Sequence, residues 1–337
     1  MDDPDSPALL ETDGTNVYLP PIWSTLLEKL NQVSVRIWPM LQAWFWVYYY
    51  LRPQHFNRCP QVRGMADQAV ESHHYIIRGG VAGRERLKVL SRVMQPTTLS
   101  LLQRAGIRPG MTCADMGCGS GDVSFDLARL VSPGGHVVGM DIDEVKLDLA
   151  RKDASTQQLD NIEFRCVNII ETGPDTKFDF VFARFLLTHL KDPAEALKKI
   201  RQAMKPGGTL VVADIDFRGY FSWPHCEAVA RYVELYTETV KRRGGDPHIG
   251  PRLPSLLSEA GFESVQMNVV QLAGTEGEVK LLTPLTMENI AEAVLAEGLA
   301  SQTVIDRIVA ELYDYAKNPA SVGCTPRIVE AWGRIPA

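Results

Sequence analysis

The sequence predicts an α/β fold in which a mostly parallel β-sheet is covered by helices on both faces. Strand-like and helix-like segments alternate from Thr112 to Ile215, and such alternation is typical of right-handed βαβ units. A glycine-rich turn follows the first predicted strand, at residues 117–121. The 337 residues, 45% of them hydrophobic, are enough to bury one large core.

The alternating segments have a defined order along the chain. Strands are predicted at residues 112–116, 136–141, 162–167, 178–183 and 209–215. Helices are predicted between them at residues 123–131, 145–154 and 193–204. Residues 106–272 therefore form the predicted central domain.

Additions are predicted on both sides of this domain. Residues 1–20 are acidic and contain proline and glycine, which predicts a flexible arm. Residues 21–105 predict a helical lid or extension, in which Pro39 and Pro96 each break a helix. Residues 273–324 predict a helical cap inserted before a last strand at 325–337.

Charge and cysteine content argue against some classes of function. The net charge of −6 provides no basic field for binding nucleic acid. The six cysteines are scattered without a CxxC pair, so we predict free thiols and no metal site. The N-terminal residues lack the pattern of a secretion signal, which favours a cytoplasmic protein.

An aromatic segment at residues 37–51 has more than one interpretation. It is shorter than a membrane-spanning helix and contains Pro39 and Gln42. It is compatible with peripheral contact with a membrane surface, with the wall of a lipophilic pocket, with core packing, or with the interface of a homodimer. The sequence alone leaves these alternatives open.

The glycine-rich turn and the next strand together predict a nucleotide-like cofactor site. Glycines at the end of a first strand allow close backbone approach to a ligand. The second strand ends at Asp141, 24 residues after Gly117, where a carboxylate can accept hydrogen bonds from a ribose diol. The alternative role for Asp141 is to cap the helix that begins near Glu144.

The spacing of the glycines favours one kind of cofactor. The turn is Gly-x-Gly-x-Gly at residues 117–121, whereas pyrophosphate-binding turns are Gly-x-Gly-x-x-Gly. Asp115 precedes the turn and suits a cofactor with ammonium and sulfonium groups. A nicotinamide-dependent dehydrogenase is therefore disfavoured.

Four ordered motifs carry a resemblance to a known family. They lie at residues 110–122, 139–143, 177–190 and 205–216. In order and spacing they resemble the class I S-adenosylmethionine-dependent methyltransferases, in particular the small-molecule enzymes of the ubiquinone-biosynthesis type. The resemblance covers residues 75–272 and implies a Rossmann-like three-layer sandwich with a mostly parallel seven-stranded sheet. It also implies S-adenosylmethionine as the cofactor.

The resemblance further implies roles for individual residues. Gly117, Gly119 and Gly121 would line the methionine portion of the cofactor. Asp115 would lie near its ammonium group and Asp141 would bind its ribose. The remaining implied cofactor contacts are Ile142, Asn168, Ile169, Arg184, Tyr75 and Arg86.

Asn168 and Arg86 differ from the other positions. Asn168 stands where the family usually has an acidic residue, but its side-chain carbonyl can accept the same hydrogen bond from the adenine amino group. Arg86 would bind the carboxylate of the cofactor, or would lie on a solvated helix face.

The motifs specify neither the acceptor nor a catalytic base. His189 is the first candidate for a general base and His248 the second; for His189 a structural role is an equal alternative. We expect a small, lipophilic acceptor of natural-product or isoprenoid type, as in secondary metabolism. The alternatives are a membrane-surface quinone or sterol C-methyltransferase, alkene methylation through a carbocation stabilised by aromatic residues 44–50, and a non-catalytic binding module.

Overall fold

The computed structural model describes residues 9–12, 15–18, 77, 80–168 and 177–337. The chain divides into two units, Met1–Gln61 and Val62–Ala337. In the first unit, strands β1 (Leu9–Thr12) and β2 (Thr15–Tyr18) pair in antiparallel fashion, where the sequence predicted a flexible arm. Residues 21–76 of the predicted helical extension, which include the aromatic segment 37–51, lie outside the described residues.

The second unit contains the predicted sheet. Its seven strands are β3 (Thr112–Met116), β4 (His136–Asp141), β5 (Ile162–Cys166), β6 (Phe178–Arg184), β7 (Met204–Asp216), β8 (Glu263–Val270) and β11 (Arg327–Arg334). They lie in the order β5-β4-β3-β6-β7-β11-β8. Only β11 runs antiparallel to its neighbours β7 and β8, so the predicted fold class is confirmed.

Alternation along the strands produces the three layers. Cys113 and Phe180 face helices α1 (Gly80–Arg104) and α2 (Asp122–Val131), while Ala114 and Val181 face α4 (Pro193–Gln202) and α6 (Leu253–Glu259). Successive side chains of a strand point to opposite faces, so each strand contributes to two cores. Helix α3 (Glu144–Thr156) packs with Phe125 and Phe164 in a smaller cluster beside them.

Helix α1 corrects the break that was predicted at Pro96. The helix continues through Pro96, although proline cannot donate the hydrogen bond to the preceding turn. Met94, Leu101 and Leu102, on both sides of Pro96, are fully buried against the sheet. We infer that this packing outweighs the lost hydrogen bond.

The cap is larger than the insertion predicted at 273–324. It consists of α7 (Leu282–Ala296) and α8 (Gln302–Lys317), and it also includes α5 (Glu227–Arg242), which precedes β8. The three helices share one apolar core, in which Tyr232, Ile290 and Ile308 are buried. Helix α5 was assigned to the central domain because sequence order alone does not show which helices share a core.

A buried lysine links separate segments of the cap through hydrogen bonds. The Lys280 ammonium donates to the backbone carbonyls of Thr275, Asn318 and Ser321 at 3.0, 2.6 and 3.0 Å. Two short strands, β9 (Ala273–Gly274) and β10 (Gly323–Cys324), pair beside it. No helix within the described ranges is long and apolar enough to cross a membrane.

Candidate active site

A cavity of about 1010 Å³ opens at the carboxyl ends of β3, β4 and β6. In doubly wound sheets this edge is the usual place for a ligand. The lining begins at the glycine-rich turn after β3 and continues beneath the cap to Tyr232 and Thr286. Its volume lies at the upper end of the range for small-molecule sites, and the cavity has two chemically different halves.

The glycine-rich turn forms one wall of the first half. Gly117 and Gly119 have φ values of +72° and +56° and line the cavity. The amides of Gly117 and Cys118 donate to the carbonyl of Met140 on β4 at 2.8 and 2.9 Å, which holds the turn against the neighbouring strand.

Gly121 has a role in packing that was not predicted. It is not among the residues that line the cavity. A Cβ atom on Gly121 would lie 2.8 Å from Cζ of Phe164 and 3.1 Å from Cβ of Ala150. Gly121 therefore permits close packing of the start of α2 against β5 and α3, and its place beside the cofactor stays a prediction.

Asp141 is held firmly at the end of β4. Its Oδ2 accepts from the Gly119 amide at 2.8 Å and its Oδ1 from the Asp143 amide at 3.0 Å. A carboxylate has about four acceptor positions, so two remain for a ligand. The alternative role as helix cap is wrong, because Asp143 caps α3 by accepting from the Lys146 amide at 3.2 Å.

Two further predicted contacts flank Asp141. Ile142 is 51% exposed, which is unusual for a large apolar side chain and suits stacking against a flat ring. Asn168 also lines the cavity. Tyr75 and Ile169, which the resemblance also implied, lie outside the described residues.

Asp115 is a buried carboxylate beneath the turn. Its Oδ2 accepts from the Ser124 hydroxyl at 2.6 Å. Burial raises the pKa of Asp115 to about 6, although the Ser124 hydrogen bond and the positive charge of Arg184 act in the opposite direction. Arg184 lines the same half of the cavity and donates to Thr98 Oγ1 at 3.1 Å.

The second half of the cavity is lined by aromatic rings of the cap and of the segment that follows β7. Phe217 stacks on Tyr236 with ring centroids 4.2 Å apart, and Tyr220 and Tyr232 pack around them. Arg86 enters this half from α1, and its Nε donates to Thr286 Oγ1 at 3.0 Å. Arg86 is buried, so the alternative of a solvated helix face is wrong.

The two candidate histidines occupy different places. His189 lines the cavity, and its pKa is lowered to about 3 by burial first and then by the positive charges of Arg86 and Lys146. The imidazole is therefore neutral at neutral pH. His248 is not part of the cavity lining; its Nδ1 lies 3.4 Å from Asp216 Oδ1, and burial lowers its pKa.

Sequence reasoning missed several lining residues. Ser120, Tyr232, Tyr236, Thr286 and Asn289 line the cavity, yet none was predicted. The two tyrosines follow the apolar periodicity of α5 and would be taken as ordinary core residues. Thr286 and Asn289 carried a usable signal, because polar residues on the apolar face of a helix need partners.

Comparisons with known proteins agree with this geometry. Residues 107–261 match a family model described as a methyltransferase domain. An uncharacterized 37.1 kDa protein of a Streptomyces fradiae transposon is 31% identical over 62% of this chain and 61% of its own length. Zea mays phosphoethanolamine N-methyltransferase 1 is 27% identical over 50% of this chain and 31% of its own.

A third relative is the demethylmenaquinone methyltransferase of Halalkalibacterium halodurans, 32% identical over 33% of this chain and 45% of its own. This chain therefore matches less than two thirds of the length of each relative. The family model covers the glycine-rich turn, Asp141 and the strands that hold them. Residues 107–261 are therefore similar to methyltransferase domains, in agreement with the resemblance of the four sequence motifs.

Proposed function

We propose that this protein transfers a methyl group from S-adenosylmethionine to a small, largely apolar acceptor bound beneath the cap. The observation that carries the proposal is the continuity of the cavity, which joins the strand ends to the aromatic cap. One half has the polar contacts for a cofactor, and the other has the apolar walls for an acceptor. The two relatives with named activities are methyltransferases whose names specify small molecules.

The residues of the first half fit this cofactor. Asp141 has two acceptor positions left for a ribose diol, and the exposed Ile142 lies next to it for the adenine ring. Asp115 offers a negative charge to the ammonium group. The Ser120 hydroxyl is buried at the cavity without a hydrogen-bond partner among the described residues. Arg184 lies close enough to Asp115 to oppose the rise in pKa that burial causes, and it is suited to the carboxylate.

The reaction requires little of the protein beyond the placement of the methyl donor and the acceptor. When bound, S-adenosylmethionine supplies an activated methyl group, and the electron pair of the broken C–S bond stays on sulfur. The turn and Asp141 fix the position of the donor, while the cap fixes the acceptor and excludes water. Alignment and desolvation of this kind can supply much of the acceleration in a displacement reaction.

A general base remains a prediction for either histidine. An acceptor that loses a proton needs a base, and a base works best when its pKa is near the working pH. The lowered pKa of His189 makes it a weak base, so we propose that it contacts the acceptor as a neutral imidazole. If His189 were the base, His189→Gln would lower kcat about 100-fold or more; we expect a smaller loss, with the greater change in KM.

The test of the proposed function uses the full chain, radiolabelled S-adenosylmethionine and a panel of small acceptors. Tyr232→Leu should raise the KM for a methylated acceptor while leaving cofactor affinity unchanged. Tyr313→Leu is the matched control, because Tyr313 lies on α8 away from the cavity and bonds Glu288. Failure of the wild-type protein to bind S-adenosylmethionine would refute the proposal.

A further inference from the structure

Arg86 is a buried cation that the cofactor site does not account for. It is 8% exposed, and its Nε donates to Thr286 Oγ1. The Thr286 hydroxyl gives its own proton to the Leu282 carbonyl at 2.6 Å, so it accepts from Arg86. Within residues 80–168 and 177–337 no carboxylate forms an ion pair with the guanidinium, whose one hydrogen bond to this part of the chain is the Nε–Thr286 bond.

Arg86 bonds to the cap, although it lies in the same cavity as Arg184. Burial raises the pKa of Asp115, and the positive charge of Arg184 opposes this rise, so Arg184 lies close to a carboxyl of the cofactor half. Burial lowers the pKa of His189, and the positive charge of Arg86 adds to this shift; Arg86 also contributes to the lowered pKa of Arg184, of which burial is the main cause. The proposed function assigns the one carboxylate of S-adenosylmethionine to Arg184. A buried charge without a counter-ion is costly, and the described residues supply none to Arg86, which is therefore suited to a second anion.

Asn289 provides an independent observation in the same half of the cavity. It is 7% exposed and lines the cavity. Its Nδ2 donates to the Leu285 carbonyl at 2.7 Å, but its Oδ1 is buried without a hydrogen-bond partner among the described residues. Asn289 follows Thr286 by three residues on α7, and such side chains are neighbours on one helix face. This side-chain carbonyl can accept a hydrogen bond from a ligand group next to the anion.

Other charged residues of the cap half do not supply these partners. Arg243 forms an ion pair with Glu297 at 3.1 Å. Glu292 also lines the cavity and has a partner of its own. Within the part of the chain that the structure describes, Arg86 therefore lacks an anion and the Asn289 carbonyl lacks a hydrogen-bond donor.

We propose that the acceptor is a small organic anion: its carboxylate or phosphate binds Arg86, and its hydroxyl or amino group donates to Asn289. This inference rests on the proposed function, since it assigns the strand-end half of the cavity to the cofactor. A guanidinium presents paired N–H donors that match two oxygens of either anion. The aromatic rings of Phe217, Tyr232 and Tyr236 contact the apolar body of the acceptor.

The experiment measures probe binding to the full chain saturated with S-adenosylhomocysteine. The probes are 3-(4-hydroxyphenyl)propanoate, 4-hydroxyphenyl phosphate and the neutral 3-(4-hydroxyphenyl)propan-1-ol. We expect an anionic probe to bind at least tenfold more tightly than the alcohol. Whichever of the carboxylate and the phosphate binds more tightly identifies the anion. If neither anion is preferred over the alcohol, the proposal is wrong.

The decisive variant is Arg86→Met, which keeps the length of the side chain and removes the charge. It should abolish the preference for the anion, while the unfolding midpoint of the ligand-free protein stays the same or rises. Arg92→Met is the control, because Arg92 lies on the same helix and forms an exposed ion pair with Glu278. A large fall in the midpoint for Arg86→Met would indicate a structural role and overturn the proposal.

Cofactor binding distinguishes a failure of this proposal from a failure of the proposed function. If Arg86→Met weakens S-adenosylhomocysteine binding tenfold or more, Arg86 serves the cofactor carboxylate and the proposal is wrong, although the methyltransferase assignment stands. If the wild type does not bind S-adenosylhomocysteine, the proposed function itself fails. Asn289→Leu should weaken the binding of 3-(4-hydroxyphenyl)propanoate but not that of 3-phenylpropanoate. Equal losses of affinity for the two compounds would refute the role of Asn289.

Discussion

Gly121 offers a quantitative test of how the glycine-rich turn is packed. In Gly121→Ala the new Cβ lies 2.8 and 2.9 Å from two ring atoms of Phe164 and 3.1 Å from Ala150. Alanine must also adopt a φ of +80°, which costs about 1–2 kcal/mol. Overpacking adds about 1–3 kcal/mol. The expected loss in the free energy of unfolding is therefore about 2–5 kcal/mol.

The matched control separates the two contributions. Gly134 has a φ of +82°, but a Cβ atom added there would have nothing within 4 Å, so Gly134→Ala carries the backbone cost alone. Urea unfolding followed by circular dichroism should show Gly121→Ala less stable than Gly134→Ala by about 1–3 kcal/mol. Adding Phe164→Leu to Gly121→Ala should recover part of this difference. Equal stability of the two alanine variants would refute the packing argument.

Three further outcomes are expected. Affinity for S-adenosylmethionine should fall as the pH drops through about 6, because the Asp115 carboxyl then loses its charge. Burial raises the pKa of this carboxyl to about 6, against the effects of Ser124 and Arg184. Calorimetry should show a weaker pH dependence of the affinity in Asp115→Asn. Burial raises the pKa of Asp214 to about 7, so the folded state holds a proton that the unfolded state releases near pH 4. The free energy of unfolding should therefore decrease from pH 4 to 7, and a slope unchanged in Asp214→Asn would contradict this. Asp143→Ala removes the cap of α3 and should cost about 1 kcal/mol in urea unfolding, whereas no loss would show that the cap is dispensable.

The sequence was sufficient where local pattern and spacing determine structure. The βαβ alternation predicted the central strands to within a few residues, except that β7 begins at Met204 rather than at residue 209. Asp141 was placed at the end of its strand because the spacing from Gly117 is fixed by one helix and one strand. These features depend on neighbours along the chain.

Features that depend on distant contacts were not predicted. Pro96 was taken as a helix break because the packing of α1 against the sheet is not visible in the local sequence. The roles of Arg86 and Asn289 depend on α1 meeting α7, residues about 200 positions apart. Gly121 was assigned to the cofactor by its motif, and the closeness of Phe164 on β5 to this position was not predicted.

The most direct test of the central claim is a calorimetric titration of S-adenosylmethionine into the wild type, Asp141→Ala and Asp160→Ala. Asp160 is an exposed control that lies outside the cavity lining. We predict micromolar binding by the wild type and by Asp160→Ala, and a loss of about 1.5–3 kcal/mol in Asp141→Ala, the usual cost of losing hydrogen bonds to a charged group. No binding by the wild type, or equal affinity in all three proteins, would contradict the assignment of the cofactor site.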